Sequence, residues 1–195
     1  MTSIKLNTLS LSAIASTVLL SIAPAHVNAH GYMDSPKARQ SFCQADGGYW
    51  WPEDGSSIPN LACRAAYLES GTVQFVQEIE FSVNTPDYLN QAAVEAKVPN
   101  GLLCAGGDNA KRGMDLPSPH FQRSDVVPNA NGDIQIRYLA STPHNPSFWQ
   151  FYITKPSFNS ATDVLTWQDL QLVQEHDNIE VANLSLATLC QQARL

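Results

Sequence analysis

The chain has 195 residues, of which 44% are hydrophobic, 9% aromatic and 15% charged. That length suits one domain with a core of its own, and the composition excludes a disordered chain or a coiled coil. Eleven Lys and Arg against 18 Asp and Glu leave a net charge of −7. Such a surface repels phosphate backbones and anionic lipid, which argues against nucleic-acid and membrane partners and leaves neutral carbohydrate open.

The first 29 residues read as a leader. Lys5 supplies a positive start, Leu9 to Ala23 is a short apolar run broken by serines, and Ala25-His26-Val27-Asn28-Ala29 ends in the small residues a signal peptidase accepts. The run is too short and too interrupted for a membrane anchor. The expected division is a signal peptide over residues 1–29 and one secreted, extracellular domain over residues 30–195. In an oxidising compartment the four cysteines, Cys43, Cys63, Cys104 and Cys190, are expected in disulfides. Four cysteines allow three pairings. Cys43 and Cys63 are the closest pair, and closing a loop of that size contributes about 3 kcal/mol.

Residues 30–60 read as irregular, with three prolines and the cluster Gly47-Gly48-Tyr49-Trp50-Trp51-Pro52. Ala62 to Glu69 is a helix candidate. Val73, Phe75, Ile79, Phe81 and Val83 fall on alternate positions, the pattern of a half-buried strand that Gln77 interrupts. Tyr88 to Ala96 can form a helical turn or two before Pro99-Asn100-Gly101. Asn131-Gly132 signals a hairpin-type turn, and Asp133 to Leu139 then places Ile134, Ile136 and Tyr138 on one strand face. Ser147 to Thr154 is a second strand, dense in aromatic and β-branched residues and ended by Lys155-Pro156. Ala182 to Leu195 reads as a Leu-rich helical tail. Short strands, long Pro/Gly loops and disulfides point to an all-β fold, an antiparallel β-sandwich with long loops and short helices.

Chemistry concentrates at the expected mature N-terminus. A histidine placed first offers two nitrogens, its free α-amine and its imidazole, which together close a chelate ring. One further imidazole completes a planar three-nitrogen set, an arrangement that suits Cu(II). His144 lies between the two best strands, in Thr142-Pro143-His144-Asn145-Pro146, where flanking prolines stiffen a loop on a rigid scaffold. His120 and His176 read as exposed surface histidines. The acidic pairs Glu53-Asp54 and Glu78/Glu80 read as solvated rather than as hydrolytic carboxylates. Tyr49, Trp50 and Trp51 offer rings that stack on sugar faces, with the alternative that Trp50 or Trp51 packs beneath the loop.

His30-Gly31-Tyr32-Met33-Asp34-Ser35-Pro36-Lys37-Ala38-Arg39 resembles the mature start of the lytic polysaccharide monooxygenases of auxiliary activity family ten, whose domain is also called chitin-binding type-4. Ala140 to His144 followed by Phe148 to Pro156 is similar to the stretch that carries the family's second histidine. Val98 to Cys104 and Leu165 to Leu170 also resemble family segments, so the likeness runs from about residue 30 to about residue 175.

The resemblance implies an immunoglobulin- or fibronectin-III-like sandwich in which His30 and His144 hold one copper ion per chain as the catalytic centre. Tyr32, Tyr49, Trp50 and Trp51 are the candidate substrate-binding residues, and Cys43 with Cys63 the candidate disulfide. The implied activity is oxidative cleavage of β-1,4 glycosidic bonds in insoluble polysaccharide, chitin first and cellulose second. A monomer would work with an external electron donor and O2 or H2O2, hydroxylating C1 or C4. The chain departs from the family in two places. It has no Phe, Tyr or Trp after Trp167, where members carry an aromatic near the copper, and it has Thr142 where many members have alanine. The first departure reads as an incomplete C-terminal part and supplies the alternative function, a carbohydrate-binding module without catalysis.

Overall fold

The computed structural model describes residues 31–141 and 147–179. Four strands appear there: β1 (Gly31–Ser35), β2 (Arg137–Ala140), β3 (Ser147–Thr154) and β4 (Leu170–Ile179). They form two antiparallel pairs, β1 with β2 and β3 with β4. In the first, Gly31 faces Ala140, Tyr32 faces Leu139 and Met33 faces Tyr138. In the second, Ser147 faces Ile179, Trp149 faces His176 and Thr154 faces Leu170. An edge-on contact between the rings of Tyr138 and Trp149, with centroids 5.0 Å apart, joins the two sheets. This is the expected all-β, antiparallel architecture with long loops and short helices.

The loops between β1 and β2 carry four helices: α1 (Arg39–Asp46), α2 (Leu61–Ser70), α3 (Val73–Val76) and α4 (Gln91–Lys97). The principal buried cluster among the described residues lies here, around Cys43, Ile58, Cys63, Phe75, Met114 and Phe121. The start of α2 is fixed by Asn60, whose side chain accepts from the N–H groups of Ala62 (2.9 Å) and Cys63 (3.0 Å). Its buried face, Ala62, Cys63 and Ala66, is small enough for a 3-10 segment over Asn109–Asp115 to lie directly against it. A Cβ at Gly113 would sit 2.4 Å from the Ala66 carbonyl oxygen, so only glycine permits that approach. Cys43 of α1 and Cys63 of α2 form a disulfide, the pair nearest in sequence.

Buried charge in this layer is satisfied locally. Lys111 is buried, and its Nζ donates to the Glu80 carbonyl (2.6 Å) and lies 3.3 Å from Asp108 Oδ2. Asp115 accepts from the N–H groups of Cys104 (2.7 Å) and Ala105 (2.8 Å). Burial nevertheless raises the Asp115 carboxyl above its ordinary range, outweighing those bonds and nearby Arg39. The β3–β4 pair is tied to the loops through Trp167, whose Nε1 donates to the Val98 carbonyl (2.7 Å) while its N–H donates to Asn100 Oδ1 (2.8 Å).

Several expectations change. Residues 30–60 are not wholly irregular, since they contain β1 and α1. Val73 to Val83 is not a strand. Its first four residues form α3, where adjacent Gln74 and Phe75 are both buried, and an isolated bridge at Glu80 is the only extended pairing that follows. The sidedness of one helical turn overrode the alternation. β2 occupies only the end of the expected 133–139 run, while α2 and β3 stand where the sequence placed them. The tail from Ala182 to Leu195, with Cys190, lies outside the described residues, as do residues 1–29.

Cys104 carries a free thiol, and burial pushes its ionisation up to about 11, against the opposing pull of Arg39. A thiol held neutral in the folded state contributes stability that is complete below the ordinary thiol range and lost as pH rises toward 11. Denaturant titrations between about pH 8 and pH 11 should show the parent chain losing about 2 kcal/mol more than Cys104→Ala. Parallel pH profiles for the two proteins would contradict this.

Candidate metal and carbohydrate site

His30 and His144 lie outside the described residues, and so does Thr142. Their chain neighbours are described, and the fold brings those together. Gly31, one peptide bond from His30, is buried and pairs with Ala140, four residues before His144. Its N–H donates to the Ile79 carbonyl at 2.8 Å, and it forms a parallel bridge with Glu80. Three segments therefore meet at the start of β1. After residues 142–146, Ser147 opens β3. The two segments singled out for their histidines thus emerge from one register-locked strand pair.

A Cβ built on Gly31 would lie 2.5 Å from both the Leu139 carbonyl oxygen and Tyr138 Oη, and 2.6 Å from Tyr138 Cε1. Glycine is required there for close approach rather than for an unusual backbone angle. Burial raises the Tyr138 hydroxyl above its ordinary ionisation range, so it stays neutral. Asp34 and Arg137 form an ion pair at the far end of the same strand pair.

Among the described residues no group of three His, Cys, Asp or Glu side chains could hold a metal ion. His120 is exposed, as expected. His176 is not: it is half-buried opposite Trp149, and His176 Nε2 and Trp149 Nε1 are buried atoms with no hydrogen-bond partner. Its acidic, polar sequence neighbours hid a strand, β4, that turns this side chain inward. Glu53 and Asp54 are exposed, and hydrogen bonds from Ser56 hold the Asp54 carboxyl below its ordinary range, the signature of a turn cap. No helix among the described residues is long and apolar enough to cross a membrane.

The aromatic residues separate into two groups. Trp50 and Trp51 are 70% and 74% exposed, open surfaces of the kind that stack on sugar rings. Tyr49 is only 7% exposed and stacks on Phe75 with centroids 5.0 Å apart. The expectation that Tyr49 faces substrate is corrected: its ring belongs to the core and carries the Trp50 ring at 5.2 Å. Tyr32 is half-buried in β1 opposite Leu139. The sequence reading passed over Tyr88, which is 55% exposed and touches Phe148, four residues beyond His144. Its lone position in a polar loop gave no periodic signal.

A known family, described as "Lytic polysaccharide mono-oxygenase, cellulose-degrading", matches residues 30–192. Spindolin of Choristoneura biennis entomopoxvirus is 32% identical over 187 residues, covering 80% of this chain and 55% of that protein. The chitin-binding protein CbpD of Pseudomonas aeruginosa is 31% identical over 159 residues, covering 82% of this chain and 38% of that protein. The chain thus spans only about half, or less, of these relatives' lengths. A lytic polysaccharide monooxygenase important for utilization of chitin in Cellvibrio japonicus superposes with a TM-score of 0.66 at 22% identity, covering 84% of this chain and 82% of that one. That likeness shows the β-sandwich fold.

Truncation of Tyr49 should act on stability and truncation of its neighbours should not. Tyr49→Ala is expected to cost about 3 kcal/mol in denaturant unfolding, while Trp50→Ala and Trp51→Ala each stay within about 0.5 kcal/mol. Equal losses for all three would place the tryptophans in the core as well.

Proposed function

The chain belongs to the lytic polysaccharide monooxygenase family matched across residues 30–192, and from that membership we propose that it is a secreted, copper-dependent enzyme cleaving β-1,4 bonds in insoluble polysaccharide, chitin before cellulose. The observation that carries the reading is the β1–β2 register. It pairs Gly31 with Ala140 and so brings the chain flanking His30 alongside the chain leading to His144. The donor set fits copper by its chemistry, one amine and two imidazoles being the nitrogen ligands that Cu(II) favours. The chitin-binding relative supports the choice of substrate.

In this reading cleavage after Ala29 frees the α-amine of His30, which with the His30 imidazole forms a chelate, and His144 supplies the third nitrogen. Copper, when bound, supplies one-electron chemistry toward O2 or H2O2, with an external donor providing the electrons. The protein's own part is placement. Trp50 and Trp51 offer flat apolar rings to the sugar faces, as their exposure allows. Tyr32 on β1 is half-buried, and Tyr88 against Phe148 of β3 is exposed and offers a further ring. The strand pair, anchored by the Gly31 to Ile79 bond, fixes the direction in which the N-terminal backbone arrives. A carbohydrate-binding module without catalysis is the second reading. It is favoured by the exposed tryptophan pair, which binding alone would need.

Copper titration and chitin pull-down on the processed protein, each at about pH 7 and about pH 4.5, test the proposal. Protons compete with copper for the amine and both imidazoles, so copper affinity should fall steeply toward about pH 4.5, with more than one proton displaced per ion. Stacking through Trp50 and Trp51 has no titrating group there, so chitin retention should persist. His144→Ala should abolish tight copper binding at neutral pH, and incubation with chitin, a reductant and O2 should yield oxidised oligosaccharides. Copper binding indifferent to His144→Ala and to acid would contradict the ligand set. Retention on chitin without products would favour the module.

A further inference from the structure

We propose that Tyr138 is a positioning residue for the metal-binding amine, acting by filling the side-chain space of Gly31. The inference rests on the copper reading above and adds a residue to it. Gly31 faces Ala140 and Met33 faces Tyr138, so Tyr138 is the diagonal neighbour of Gly31 on the same sheet face. The space a side chain at position 31 would take is occupied by that ring: a Cβ there would meet Tyr138 Oη at 2.5 Å and Cε1 at 2.6 Å. An aromatic ring laid over a strand glycine covers bare backbone and restricts a residue that is otherwise free to rotate.

The ring is itself held. Trp149 packs edge-on against it at 5.0 Å and is backed by Phe151, stacked at 6.3 Å. Gly31 is gripped from its other side by the bond from its N–H to the Ile79 carbonyl. On this proposal, confining Gly31 restricts the peptide bond that joins it to His30. A chelate built on a chain-terminal amine needs this confinement, because nothing precedes the amine to hold it. Residues that orient a metal ligand without touching the metal commonly change affinity by about 10–100-fold when removed.

The test compares the processed parent chain with Tyr138→Leu and Tyr138→Phe. Three readouts are used: copper(II) titration, the copper(II) electron paramagnetic resonance spectrum, and hydrogen exchange of the Gly31 amide in the metal-free protein. Tyr138→Leu should bind copper about 10–100-fold more weakly, show a shifted or broadened nitrogen pattern, and exchange the Gly31 amide faster. Tyr138→Phe keeps the covering ring and should retain the parent spectrum, which guards against reading a folding defect as a positioning effect. If the parent binds copper through three nitrogens and Tyr138→Leu leaves spectrum and affinity unchanged, the positioning role is overturned and the copper reading stands. If the parent binds no copper, the copper reading fails and this role falls with it; a Gly31 amide indifferent to Tyr138→Leu overturns the covering contact by itself.

Discussion

The antiparallel register of β1 and β2 is the constraint on which the proposed chemistry depends. Because side chains alternate across a strand, a slip of one residue would turn Tyr138 to the opposite face and expose Gly31. The observed pairing of Gly31 with Ala140 does two things at once. It brings together the chain ends that lead to His30 and His144, more than 100 residues apart in sequence, and it lets the Tyr138 ring close over the glycine. Local propensity contributes little to a five-residue strand, so this register is held from outside, by the Ile79 carbonyl and by Trp149 behind Tyr138.

The helical layer serves a different purpose. The exposed tryptophans sit on a loop, and a loop presents rings usefully only if its base is rigid. Here the base is the Cys43–Cys63 disulfide together with Tyr49 stacked on Phe75. Buried Lys111, bonded to the Glu80 carbonyl, fastens the same layer to the segment that pairs with Gly31, and Asp115 holds the N–H groups of Cys104 and Ala105. Removing the Asp115 side chain would take this acceptor from the N–H groups of Cys104 and Ala105, a larger cost than the bonds themselves contribute.

How much of this was legible in the sequence varied with element length and type. β3 could be read in full, since eight residues of aromatic and β-branched character between prolines admit few alternatives. α2 was legible through its small-residue face. β1 and α1 were not, because five and eight residues flanked by proline and glycine carry too little periodicity. The 73–83 segment misled because alternation of apolar residues over a few positions is also compatible with one helical turn, and tertiary burial of Gln74 and Phe75 decided it. Tyr49 shows the same limit at one side chain: composition identified an aromatic loop, but only packing decides which ring turns inward. His176 looked solvated because its neighbours are polar, yet a strand exposes those neighbours and turns the histidine in. The reading of His30 and His144 rests on the sequence, and both lie outside the described residues, as does Cys190.

The central claim is that the His30 and His144 segments form one metal site at the β1–β2 end of the sandwich. Paramagnetic broadening of backbone amides on adding one equivalent of Cu(II) tests it most directly. The account predicts that signals of Gly31, Tyr32, Ala140, Ser141 and Ser147 broaden together, while Thr154 and Lys155, at the other end of β3, stay sharp. Broadening that spares Gly31 and Ala140, or that centres on His120 or His176, would contradict it.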